Sequence, residues 1–152
     1  MKWVVDASVA AKWLAPEADS PLADSLLDDE LVAPDLLYAE VANILWKKQA
    51  RGEMGPSTLA IALRWLLHLP LQIHDCASLF AEALDLAQKL RHPAYDCFYV
   101  ALARRVDARL VTADRRLFDR CQRPDAAALA PFVRHLTAIG WRPLNFCRCL
   151  RA

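Results

Sequence analysis

Short apolar segments rich in β-branched residues alternate along this chain with longer segments in which apolar residues recur every three or four positions. The short segments predict buried strands, and the longer segments predict amphipathic helices. Strands are expected at residues 3–5, 31–33, 71–73 and 109–112. Helices are expected at residues 7–14, 20–28, 36–49, 56–67, 78–90, 95–106, 115–121 and 126–136.

The order of these elements indicates the fold class. Short apolar strands separated by helices are typical of a parallel sheet covered by helices on both faces. We therefore predict a three-layer α/β/α fold with a short parallel sheet. A chain of 152 residues suits one such core better than two. The closing sequence WRPLNFCRCLRA has no helical or strand period, so we predict one domain over residues 1–138 and a tail over residues 139–152.

Composition narrows the class of protein without naming a function. The chain is 56% hydrophobic and 24% charged, as globular proteins are, and its net charge of +1 favours no charged partner. Five cysteines without a CxxC pair indicate neither a disulfide framework nor a structural zinc site. Asp6 and Lys12 interrupt the apolar N-terminal segment, and no uncharged run approaches the ~20 residues that cross a bilayer. These features predict a cytoplasmic protein without a membrane segment.

Acidic residues stand at the ends of predicted elements. Asp6 ends the first strand, and Asp114 lies two residues beyond Thr112, which ends the last strand. The carboxyl ends of parallel strands share one edge of the sheet, and ligands bind outside that edge. Asp96 falls in the first turn of its helix, where the helix dipole favours a carboxylate. Glu40 interrupts the apolar face of the helix at 36–49.

Each acid also has a purely structural interpretation. Asp6 and Asp114 could be helix N-caps, and Asp96 could merely complement its helix dipole. Glu40 is harder to explain in this way, because a buried carboxylate requires a metal or a basic partner. Four converging acids would repel one another unless a divalent cation lay among them, and hard oxygen ligands suit Mg²⁺ or Mn²⁺. Ions held in this way can promote phosphodiester hydrolysis.

Four sequence segments resemble the acidic motifs of PIN-domain ribonucleases, and among these the VapC-type toxins. They are VVDASV at 4–9, APDLLYAEVANIL at 33–45, AYDCFYVALA at 94–103 and LVTADRRLF at 110–118. The resemblance covers residues 1 to about 138 and implies that four acids bind Mg²⁺ or Mn²⁺ and are catalytic, with three polar residues in support. The acids are Asp6, Glu40, Asp96 and Asp114, and the supporting residues are Ser8, Asn43 and Thr112.

The resemblance also implies the activity and the partners. It implies an endoribonuclease toxin that hydrolyses RNA, is inhibited by a cognate antitoxin protein and forms a homodimer. An arginine-rich stretch follows the third acid, and we expect weak RNA contacts from Arg104, Arg105, Arg115 and Arg116. Two alternatives stay open: an idle protein-binding module, and a phosphohydrolase of the haloacid-dehalogenase type. The latter normally needs a second aspartate where this chain has Ser8.

Two helices carry more apolar side chains than one helix face need bury. The helices at 36–49 and 56–67 include Leu37, Trp46, Leu59, Leu63, Trp65 and Leu66. A surplus of this kind predicts an interface, and we expect it to join two copies of the chain in a two-fold homodimer. The four histidines have no metal-ligand spacing, and we expect surface or packing roles for them, including His92, which lies near Asp96.

Overall fold

Five parallel strands form the central sheet of the computed structural model, which describes residues 1–143. The strands are β1 (Lys2–Val5), β2 (Glu30–Pro34), β3 (Leu71–His74), β4 (Arg109–Thr112) and β5 (Val133–His135), in the spatial order β3-β2-β1-β4-β5. The central strand β1 pairs Trp3 with Leu31 on one side and Val4 with Leu110 on the other. The inner strands are almost completely buried, as strands covered on both faces are.

Helices connect the strands and cover the sheet. They are α1 (Ala7–Leu14), α2 (Ser20–Asp24), α3 (Leu36–Ala50), α4 (Pro56–His68), α5 (Cys76–Leu90), α6 (Ala94–Arg105) and α7 (Arg115–Cys121). Helix α6 packs on β1, β2 and β4 and is covered by α5, whereas α1 packs against α3. The predicted three-layer α/β/α fold is therefore confirmed. Within residues 1–143, no helix is long and apolar enough to span a membrane.

The predicted helix at 126–136 is wrong. Residues Pro124–Phe132 form a 3₁₀ helix, Val133–His135 form the fifth strand, and Leu136–Ala138 form a second 3₁₀ turn. Pro131 lacks the amide hydrogen that an α-helix interior needs. Strand β5 pairs with β4, with Val133 opposite Leu110. This partner lies more than twenty residues away, so a local sequence pattern does not predict the pairing.

The predicted helix at 20–28 is too long. Helix α2 ends at Asp24, and residues 25–28 form turns. The Ser25 hydroxyl donates to the Leu22 carbonyl at 2.7 Å, a local bond that competes with helix continuation. Ser20 is the first residue of α2, and its hydroxyl donates to the Lys12 carbonyl at 2.9 Å.

The beginning of the predicted tail lies against the domain. Arg142 hydrogen-bonds to the Asp29 carboxylate and to the Ser25 carbonyl, whereas Trp141 is exposed. The rest of the tail, residues 144–152, lies outside the described residues. The division into a domain at 1–138 and a tail at 139–152 stays a prediction.

Candidate active site

The four predicted acids line one cleft at the carboxyl edge of the sheet. Asp6 follows β1, Asp114 follows β4, Glu40 lies on α3 and Asp96 on the first turn of α6. The cleft has a volume of about 190 Å³ and is completed by Ala7, Ser8, Asn43 and Ile44. The topology explains this meeting, because parallel strands deliver their C-terminal residues to a common edge.

Asp6 is held by the two supporting polar residues that follow β1 and end β4. Its Oδ2 accepts hydrogen bonds from Thr112 Oγ1 at 2.5 Å and from Ser8 Oγ at 2.9 Å. Its Oδ1 accepts from the Ser8 backbone amide at 3.2 Å, which makes Asp6 the N-cap of α1. Ser8 Oγ in turn accepts from the Ala113 amide at 3.0 Å. The carboxylate orientation is therefore set by three donors.

Asp114 forms three structural hydrogen bonds and also lines the cleft. Its amide donates to Thr112 Oγ1 at 2.9 Å, and its Oδ1 accepts from the amides of Arg116 at 2.7 Å and Leu117 at 3.3 Å. Asp114 is thus the N-cap of α7. Capping and lining the cleft are compatible for both aspartates, because a cap uses the carboxylate oxygens that face the helix amides.

Glu40 has a partner that sequence analysis missed. The Tyr99 hydroxyl donates to Glu40 Oε2 at 2.5 Å, across 59 positions of sequence. The Tyr99 side chain is fully buried on α6. Tyr99 lies three residues after Asp96, on the same face of the helix, and this spacing within the AYDCFYVALA motif was the available signal.

Asp96 has a partner in His92, for which a surface or packing role was the main expectation. His92 Nε2 lies 2.6 Å from Asp96 Oδ2, and the His92 side chain is largely buried. Pro93 is the N-cap of α6, so His92 lies just outside the helix and reaches over its first turn. The four-residue separation could have indicated this contact.

Burial and mutual repulsion disfavour the charged forms of three of these acids. Burial raises the pKa of Asp6, although hydrogen bonds from Thr112 and Ser8 lower it; the negative charge of Asp96 raises it further. Burial raises the pKa of Glu40 against the lowering effect of Tyr99, with Asp6 and Asp96 adding to the rise. Burial raises the pKa of Asp96, while His92 and Arg116 lower it and Asp114 raises it.

Such an arrangement suits a hard cation that keeps part of its water shell. Among residues 1–143, no three His, Cys, Asp or Glu side chains form a preassembled metal-binding group. The carboxylates surround the cleft instead of closing on a point, which fits an ion such as Mg²⁺ that binds through one or two carboxylates and several waters. A cation would also remove the repulsion among the buried carboxylates.

The structure separates the four arginines that sequence analysis grouped. Arg115 and Arg116 are exposed on the first turn of α7, beside Asp114, and Arg115 lies over the Phe118 ring. Arg104 and Arg105 lie at the C-terminal end of α6, about 12 Å along the helix axis from Asp96. There they pair with Glu82 at 2.9 and 3.8 Å and line a different cavity.

The amino-acid sequence is similar to a known protein family and to a known ribonuclease. The sequence model of the family described as PIN domain matches residues 3–123. Ribonuclease VapC3 of Pyrobaculum aerophilum is 37% identical over 124 residues, covering 79% of this chain and 95% of that protein.

Two solved structures show the same fold at low sequence identity. The crystal structure of PAE2754 from Pyrobaculum aerophilum has a TM-score of 0.67 and 20% identity, and the match covers 91% of each chain. A chain of VapBC2 from Rickettsia felis, solved bound to a DNA fragment from its promoter, has a TM-score of 0.54 and 16% identity. That match covers 89% of this chain and 98% of the other. At these identities the likeness concerns the fold.

Proposed function

This chain belongs to the PIN domain family, and on that premise we propose that it is a metal-dependent endoribonuclease and the toxin of a toxin–antitoxin pair. The observation that carries the proposal is the single cleft lined by Asp6, Glu40, Asp96 and Asp114. Burial and like charges raise the pKa of three of these carboxyls, which is the condition that a bound divalent cation relieves.

The four carboxylates would hold Mg²⁺ or Mn²⁺ in this proposal, one or two of them directly and the others through its bound waters. When bound, the ion lowers the pKa of a water and stabilises charge on the scissile phosphate. The surrounding residues position the acids: Ser8 and Thr112 fix Asp6, and Tyr99 fixes Glu40. The Asn43 side chain is exposed at the cleft, where its amide can donate to a phosphate oxygen of the RNA.

The direct test is cleavage of RNA by the purified protein, freed of any partner, with Mg²⁺ or Mn²⁺ and then with EDTA. We expect cleavage with metal and none with EDTA. Asp96→Asn, purified in the same way, serves as the matched control for contaminating nuclease and should be inactive. Equal cleavage in EDTA, or equal cleavage by the variant, would contradict the proposal.

The same assay decides between the nuclease and the two alternatives. An idle module would bind a partner protein without cleaving RNA under any metal condition. A phosphohydrolase of the haloacid-dehalogenase type would need a second aspartate at position 8, where the Ser8 hydroxyl donates to Asp6 instead. Turnover of a small phosphomonoester without RNA cleavage would favour that chemistry.

The proposal includes a cognate antitoxin. The partly desolvated carboxylates favour a cationic group, and a guanidinium can pair two carboxylate oxygens at once. We expect the antitoxin to lay an amphipathic segment between helices and to place an arginine at the acidic cleft, in competition with the metal. Co-expression with the neighbouring open reading frame, followed by pull-down and Mn²⁺ titration, tests this expectation. Binding that leaves metal affinity and cleavage unchanged would rule out this inhibitory contact.

The proposal also includes a homodimer. Helix α4 exposes Ile61, Leu63, Trp65 and Leu67, and α3 exposes Trp46, which is 61% accessible. Leu37 and Leu66, also expected on this surface, instead lie in the core, and Leu59 is partly buried. The remaining exposed apolar side chains still exceed what an isolated helix face usually shows to water.

The proposal finally includes a cytoplasmic location. RNA is available there, and the free thiols of Cys76, Cys97 and Cys121 stay reduced.

A further inference from the structure

A basic groove adjoins the acidic cleft. The groove has a volume of about 690 Å³ and lies between the end of α5 and the outer face of α7. Five basic side chains and two acidic ones line it, together with Leu90 and His92. The charged residues are Lys89, Arg91, Arg116, Arg120, Arg123, Asp119 and Asp125.

Two of the basic residues have structural partners. Arg120 donates to the Leu90 and Lys89 carbonyls at the end of α5 and pairs with Asp125 at 2.9 Å, so its charge is largely compensated. Lys89 pairs with Asp85 at 2.6 Å. The Arg120 bonds connect α7 to the end of α5 across the groove.

Three arginines in the groove have no ion-pair partner among residues 1–143. In the described part of the chain, no carboxylate lies within ion-pair distance of the Arg91, Arg116 or Arg123 guanidinium. All three residues are exposed. Arg116 and Arg123 are separated by about 10 Å along α7 and the residues that follow it. A groove with this surplus of positive charge attracts an extended polyanion.

The groove borders the acidic cleft. His92 lines the groove and contacts Asp96, which lines the cleft, at 2.6 Å. Arg116 lines the groove, and its backbone amide donates to Asp114 Oδ1 at 2.7 Å. A chain of phosphates that follows the groove is therefore brought to the edge of the acidic cleft.

We propose that this groove binds the phosphate backbone of the RNA segment next to the cleaved bond, through Arg91, Arg116 and Arg123. This inference rests on the proposed nuclease function and changes the assignment of the RNA contacts. Arg104 and Arg105, which sequence analysis favoured, are paired with Glu82 and line a separate cavity. Arg91 and Arg123 take their place. Backbone contacts of this kind make binding insensitive to sequence and sensitive to salt.

The test compares two double variants of equal charge. The groove variant carries Arg91→Asn and Arg123→Gln; asparagine suits position 91, where φ is +48°. The matched control carries Arg51→Gln and Arg109→Gln, at the end of α3 and at the amino end of β4, on the opposite edge of the sheet. The affinity of a fluorescein-labelled single-stranded RNA is measured by anisotropy in EDTA over a range of salt concentrations. Mn²⁺ affinity is measured separately by calorimetry.

We expect the groove variant to bind RNA about tenfold more weakly or worse at moderate salt. The slope of log affinity against log salt should fall by about 1.4, because each of the two phosphates that the variant no longer neutralises accounts for about 0.7. The control should keep the slope of the unmodified protein, and both variants should bind Mn²⁺ normally.

Other results overturn the inference. It is wrong if the two variants lose affinity equally, if Arg104→Gln with Arg105→Gln causes the loss instead, or if the groove binds polyglutamate and not RNA. Its failure is distinguishable from failure of the nuclease proposal. Metal-dependent cleavage with an unchanged salt slope in the groove variant overturns the groove alone, whereas groove-dependent RNA binding without cleavage overturns the nuclease alone.

Discussion

The bond between Tyr99 and Glu40 offers a sharp test of how the site is held. The Tyr99 side chain is fully buried, and its hydroxyl donates to Glu40 Oε2 at 2.5 Å. Tyr99→Phe removes only this hydroxyl and keeps the packed ring. Glu40 then loses its donor while remaining near Asp6 and Asp96, whose charges act on it.

The expected cost follows from the kind of bond that is removed. A hydrogen bond to a charged group contributes about 1.5–3 kcal/mol to the free energy of unfolding. We expect about 2 kcal/mol here, because Glu40 is only partly buried and can turn toward water. For a domain of this size, such a loss lowers Tm by about 4–8 °C. If Glu40 is a metal ligand, Mn²⁺ affinity should also fall by about tenfold, because Tyr99 orients the carboxylate.

The penalty should depend on pH in a defined direction. Burial already raises the pKa of Glu40 above its ordinary value of 4.5, and the Tyr99 bond opposes that rise. In Tyr99→Phe the folded-state pKa rises further. An acid whose pKa is raised by folding supports the fold when protonated and weakens it as the pH rises through the folded-state pKa. The Tyr99→Phe penalty is therefore smallest below pH 4.5 and largest at neutral pH.

Thermal unfolding followed by circular dichroism over this pH range measures the effect. Tyr95→Phe is the matched control, because Tyr95 lies on the same helix and is 64% exposed. In a Glu40→Gln background, Tyr99→Phe should cost only about 1 kcal/mol, the value of a neutral hydrogen bond. The reasoning fails if Tyr99→Phe costs no more than Tyr95→Phe, or if its penalty is the same at every pH or in both backgrounds.

Three further predictions follow from the same site and surface. Asp96→Asn should abolish cleavage and leave a folded apo protein that is slightly more stable at neutral pH, because a repelling charge is removed. If thermal melts show a largely unfolded variant, Asp96 is a structural residue instead. Without metal, the protein should become less stable as the pH rises above about 3.8 and 4.5, the ordinary pKa values of the aspartates and of Glu40, because folding raises these pKa values. Chemical unfolding at several pH values, with and without Mg²⁺, measures this loss, and Mg²⁺ should reduce it. Light scattering at micromolar concentration should give the mass of a dimer, and Trp65→Lys should reduce it to the mass of a monomer. A monomer mass for the unmodified protein would contradict the interface on α4.

The sequence by itself determined most of the fold and the position of the acids. Within residues 1–143, four strands and six of the seven α-helices follow local patterns of apolar residues, and the structure moves their ends by only a few positions. Asp6 and Asp114 could be placed at one edge of the sheet, because parallel topology brings strand ends together whatever the side-chain details. Their capping bonds were also predictable, because a cap involves residues two or three positions away.

Only the tertiary structure decided which side chains distant in sequence meet. Strand β5 forms because Val133 pairs with β4, and Glu40 accepts a hydrogen bond from Tyr99, which lies 59 positions away in the sequence. The same applies to charge and exposure. Arg116 faces the groove while Arg104 is paired with Glu82, and Leu66 is buried while Leu63 is exposed on the same helix. Residue type does not distinguish the two arginines from each other, or the two leucines from each other. The difference arises from the packing of helices and strands that are distant in sequence, which sets burial, hydrogen-bond partners and local potential.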